Sequence, residues 1–200
     1  MQTATVKPSV GHAHVGDHVC QPYGSDEEFL QHLVDLTTDA LDRRHKVLIF
    51  TEVLPAPQVA EHLGQRIPGW AQATQRDQFT VRSCAQTYLA DGAFLPDRRL
   101  ADLTAEASEA EAEGYACLQV ITDMSWALRA QPGIELVYSY EAGLTPLCTE
   151  WRLTVACLYD LRQLSRHAFY RAYSAHPNTA TRGPRTAEPH PRALSQPVPA

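Results

Sequence analysis

Hydrophobic and polar positions alternate between two kinds of pattern along this chain. Short, nearly continuous apolar runs occur at Lys46–Val53 (KVLIFTEV), Cys117–Thr122 (CLQVIT) and Leu153–Leu158 (LTVACL), with shorter ones at His18–Cys20 and residues 79–84. Runs of this length read as strands, and runs with no polar alternation read as strands buried on both faces. The segments between them carry helical spacing. Ser25 is a good N-cap with Glu28 three residues later, and Phe29, Leu33, Leu36, Ala40 and Leu41 then fall roughly on one face. Further helices are predicted over Gln58–Gln65, Asp97–Glu113 (stopped by Gly114), Ile134–Thr149 (weakened by Gly143 and Pro146) and Arg162–Ser174. Strands alternating with helices predict a three-layer α/β fold, a mainly parallel sheet with helices on both faces. Ligands of such folds sit at the carboxyl ends of the strands. That places Gln21-Pro22-Tyr23, Glu52, Asp123 through Trp126 and Tyr159-Asp160 at the candidate site.

Composition narrows the picture. Two hundred residues fit one domain, and 44% hydrophobic residues supply a core. The expected domain runs from 16 to 176. Residues 1–15 are polar and irregular, and 177–200 contain six prolines, so both ends are expected to be disordered. A net charge of −6 and only two lysines, Lys7 and Lys46, argue against direct nucleic-acid binding. No run is long enough to span a membrane, and residues 1–14 lack the apolar core of an export signal. A cytoplasmic protein is expected. Its five cysteines form no CxxC pair and read as reduced thiols.

The order of strands and helices resembles RecA-type ATPases, but the phosphate cradle is missing. A P-loop needs GxxxxGK[ST], whose amides, lysine and hydroxyl hold phosphates and magnesium. Gln21-Pro22-Tyr23-Gly24-Ser25-Asp26-Glu27-Glu28 stands there instead, with one glycine and no lysine. Asp26, Glu27 and Glu28 bring negative charge to a helix N-terminus that would otherwise attract an anion. Lys46 begins a strand at the opposite end of the sheet. The expectation is a RecA-like fold without a functional Walker A, no ATP hydrolysis and no cofactor.

Several short motifs agree with one family. His18-Val19-Cys20-Gln21-Pro22-Tyr23, Asp123-Met124-Ser125-Trp126, Tyr140-Glu141, Cys157-Leu158-Tyr159-Asp160 and His176-Pro177 occur in order. Over about residues 15–178 the chain resembles the MEDS domain, the methanogen/methylotroph sensory domain. The resemblance implies a degenerate RecA-like sensory module that binds a small organic ligand. It also implies a signalling or transcription-regulatory protein as partner, since no output domain is attached to the segment. RecA-like folds associate side by side, which makes a homo-oligomer one option. Gln119 stands near the place where similar domains carry an arginine, which implies a neutral ligand or none.

The residues themselves leave three readings open. An aromatic-lined ligand pocket is expected from Tyr23, Trp126 and Tyr159, with Asp123 and Asp160 as polar points and Glu52 nearby. Glu141 either accepts a hydrogen bond from that ligand or pairs with an arginine such as Arg82. A ligand-free docking module predicts an exposed apolar patch and no pocket. A metal or thiol redox sensor requires His18, Cys20, Cys157 and His176 to converge. His18 and Cys20 share one side of a strand, but no tight ligand pair anchors a metal, and none is assigned. No catalytic residue is assigned either: the chain has no GxSxG elbow, and a Cys/His pair on one strand rarely reaches nucleophile-base geometry.

Overall fold

The computed structural model describes residues 13–179. The predicted disordered ends therefore lie mostly outside the described residues. Within them all five predicted strands form: β1 (His18–Tyr23), β2 (Lys46–Thr51), β3 (Phe79–Ser83), β4 (Leu118–Asp123) and β5 (Leu153–Asp160). A two-residue strand, β6 (Asn178–Thr179), joins them at the edge. The sheet order is β3-β2-β4-β5-β1-β6, and every pairing is parallel.

The helices are α1 (Asp26–Asp42), α2 (Ala56–Gly64), α3 (Trp70–Gln75), α4 (Cys84–Thr87), α5 (Pro96–Ala112), α6 (Val137–Glu150) and α7 (Arg166–Ala175). Ser25 caps α1 as its sequence predicts: its Oγ accepts from the Glu28 amide at 3.1 Å. Glu28 in turn accepts from the Gly24 amide at 2.7 Å. Asp26 pairs with Arg162 at 2.7 Å. The first turn, where a P-loop would grip phosphate, is thus occupied by the chain's own carboxylates. Gly114 follows α5 with φ +86°, a left-handed conformation that glycine adopts without steric cost. Pro146 removes one backbone donor from α6 without ending it.

Strand alternation splits the core in two. Leu153, Val155, Cys157 and Tyr159 of β5 face one cluster, with Leu48 and Phe50 of β2, Leu103 and Ala107 of α5, Leu144 of α6 and Ala172 of α7. Ala156 and Leu158 face the other, with Ile49, Phe29 and Leu33 of α1 and Val59 and Leu63 of α2. Helices α5, α6 and α7 therefore cover one face of the sheet, and α1 and α2 the other. The short helices α3 and α4 are additions to the predicted set, too brief to show a period.

Candidate functional site

The richest chemistry lies under α6 and α7. His18 at the start of β1, Cys157 in β5, Glu141 in α6 and His176 just after α7 place one donor atom each within 4.8 Å of one another, all buried. His176 Nε2 lies 2.9 Å from Glu141 Oε2, and His18 Nε2 lies 3.6 Å from the same oxygen. The Cys157 thiol is 3.5 Å from His18 Nε2 and 3.7 Å from Glu141 Oε1. The Tyr159 hydroxyl donates to Glu141 Oε2 at 3.0 Å. Each ring is anchored at its other nitrogen: His18 Nδ1 on the Thr145 hydroxyl at 3.1 Å, His176 Nδ1 on the Ala172 carbonyl at 2.7 Å.

Electrostatics sharpen the picture. Burial, helped by His176, pushes His18 down to about 3 against the pull of Glu141, so its ring is neutral near pH 7. Burial pushes Glu141 upward, but His176, His18 and the Tyr159 hydroxyl outweigh it and hold the carboxyl below its usual range. Burial and Glu141 push the Cys157 thiol well up, and the same causes push Cys20 up to about 12. All five cysteines are free and buried. Thiols held protonated in this way are poor nucleophiles and poor redox sensors.

A small cavity of about 70 Å³ opens onto this cluster. Its walls are apolar, from Met124, Ala127, Leu128, Leu164 and Ala168 among others, and Glu141 and Tyr159 are its polar floor.

Residues 17–177 match the MEDS family, described as the methanogen/methylotroph, DcmR sensory domain. The chain belongs to the MEDS family. No curated protein matches it. Among solved structures it is similar to a KaiC-like protein from the hyperthermophilic archaeon Pyrococcus horikoshii OT3. The TM-score is 0.57 at 12% identity, covering 82% of this chain and 69% of that one. It is similar in the same way to the flagellar accessory protein FlaH from Methanocaldococcus jannaschii, with TM-score 0.57, 11% identity and coverage of 83% and 70%. At that identity the likeness concerns the fold, which is RecA-like. No helix among the described residues is long and apolar enough to cross a membrane.

The MEDS fold separates residues that the sequence placed in one pocket. Tyr159 and Trp126 lie on the α6 side of the sheet and Tyr23 on the α1 side, in a different apolar cluster. The expected aromatic-lined pocket therefore does not assemble, because neighbours at a strand end point to opposite faces. Trp126 is fully buried, stacked on Tyr88 at 4.5 Å and packed on Phe94 at 4.7 Å, and does not line the cavity. Asp123 is consumed by structure: it accepts from the amides of Glu52 (3.0 Å), Val53 (2.8 Å) and Ser125 (3.0 Å), and from the Tyr23 hydroxyl at 3.4 Å. Burial raises its carboxyl, and these donors oppose the rise. The Glu52 side chain pairs with Arg129. Asp160 is held by Arg162 and Gln163, each at 2.8 Å.

Glu141 pairs with His176 rather than with Arg82, which is taken by Glu106 at 2.5 Å. Of the four residues that a metal reading requires, His18, Cys157 and His176 converge. Cys20 pairs with Cys157 in the strand ladder, but its sulfur is outside the donor group, and Glu141 takes its place. The sequence signal for that substitution was a glutamate within an otherwise apolar helical stretch. Thr145, which anchors His18, carried no signal.

Proposed function

We propose that this sensory domain binds a small organic molecule, mostly apolar with one hydrogen-bond donor, in the cavity floored by Glu141 and Tyr159. The observation that carries the reading is an apolar cavity ending on a buried carboxylate-phenol pair, the general form of a small-molecule site. Its volume suits a ligand of a few heavy atoms, not a nucleotide. The carboxylate recognises a donor such as the hydroxyl of a small alcohol or an amine. Ala168 and Ala172 of α7 line the cavity while Tyr170 of the same helix is 68% exposed. Occupancy would thus reposition a helix whose outer side faces a signalling or transcription-regulatory partner.

A thermal-shift series with small alcohols and amines tests this. A binding ligand raises the Tm by about 2–4 °C for each 1 kcal/mol of linkage, and Ala168→Leu, which fills the cavity, abolishes the shift. No shift with any compound, or an undiminished shift in Ala168→Leu, refutes the site.

A further inference from the structure

We propose that His18, Glu141, Cys157 and His176 bind a divalent transition metal of the zinc class. The inference goes beyond the sensory reading and stands or falls separately from it.

The tautomers give the first reason. The Ala172 carbonyl only accepts hydrogen bonds, so His176 Nδ1 at 2.7 Å carries the proton. Its Nε2 then faces Glu141 Oε2 at 2.9 Å, buried and without a properly formed hydrogen bond. Such a contact in a dry interior is held by a cation between the two atoms, either a second proton on the ring, as in the pair described above, or a metal ion. His18 has a similar layout, with Nδ1 on the Thr145 hydroxyl, which can donate or accept, and Nε2 toward Glu141 and Cys157. Histidines that ligate metals are held in this way, with the far ring nitrogen fixed by an oxygen.

Spacing gives the second reason. Zinc bonds of 2.0–2.3 Å in a tetrahedron put neighbouring donors about 3.3–3.8 Å apart. The His18 Nε2–Glu141 Oε2 and Cys157 Sγ–His18 Nε2 separations are 3.6 and 3.5 Å, and Cys157 Sγ lies 3.7 Å from the other Glu141 oxygen, Oε1. The His176–Glu141 contact, at 2.9 Å, has to open, and the remaining pairs, His176 with His18 and with Cys157, lie within 4.8 Å. The donor set also selects the metal. Two imidazoles, one carboxylate and one sulfur suit zinc, cobalt or ferrous iron, and not calcium or magnesium, which take oxygen.

The test uses the full chain purified without chelator. Elemental analysis should find about one equivalent of a transition metal, or, after chelation and dialysis, Co²⁺ should bind to about one equivalent. The Co²⁺ protein should show a thiolate-to-metal band in the near ultraviolet and the strong visible bands of four-coordination. Cys157→Ser should lose the near-ultraviolet band, His176→Ala and Thr145→Ala should weaken Co²⁺ binding about 10- to 100-fold, and Cys20→Ala should change neither. Circular dichroism confirms that each variant is folded, and the unsubstituted protein alone decides whether the site exists. A chain that takes up no Co²⁺ at tenfold excess, or one whose Co²⁺ spectrum lacks the thiolate band, overturns the proposal. So does a band that survives Cys157→Ser and disappears in Cys20→Ala.

Discussion

Two buried carboxylates on opposite faces of one sheet behave differently. Asp123, 1% exposed, receives three backbone amides and a phenol, so its lone pairs are accounted for. Glu141, equally buried, receives the Tyr159 hydroxyl and a weak thiol contact and otherwise faces ring nitrogens. One network is closed around itself; the other is short of donors and borders a cavity. Burial alone does not mark a functional carboxylate. What marks it is how much of its bonding capacity the fold itself leaves unused.

Substitutions can break that contrast. Asp123→Ala strands one buried and two partly buried amides, a buried one costing about 1–3 kcal/mol, and should lower stability by about 3 kcal/mol in urea denaturation. Glu141→Gln, measured in chelator-treated protein, should shift stability by about 1 kcal/mol or less, because the new amide can donate to His176. It should nonetheless remove the thermal response to small alcohols and amines. Equal losses in the two variants would erase the distinction.

A smaller effect sharpens it. Asp160 is a second closed carboxylate: the Arg162 hydrogen bonds, with those of Gln163 and the Arg162 amide, outweigh burial and hold it at about 2. Its unfolded value is near 4. The lowered folded value means that its stabilisation is fully present above about pH 4 and is lost as pH falls through about 2. The difference in urea midpoint between the parent chain and Asp160→Asn should therefore shrink steadily from pH 5 to pH 2. A difference that stays constant over this range would show that Asp160 is not held by these bonds.

Much of the fold was legible because its strands are written as unbroken apolar runs. KVLIFTEV and LTVACL admit few readings other than fully buried parallel strands, and Ser25 with Glu28 announces α1. The missing P-loop was legible as well, since a phosphate cradle is a local feature of eight residues. The site was less legible. Strand ends could be located, but the face each residue takes follows from the register, and Tyr159 and Asp160 diverge for that reason. The donor cluster joins His18 to His176 across nearly the whole domain, a proximity produced by β1 lying between β5 and β6. Spacing along the chain carries no trace of it, and so Cys20, the nearer neighbour in sequence, stood in for Glu141.

Glu141 belongs to both the cavity and the donor group. If both proposed occupants bind, that shared membership makes them thermodynamic partners. A cation drawing on its oxygens changes what they can offer a molecule in the cavity, and reciprocity requires the molecule to change the hold on the cation by the same factor. A domain wired through one carboxylate would answer to an organic compound with a strength set by the metal supply.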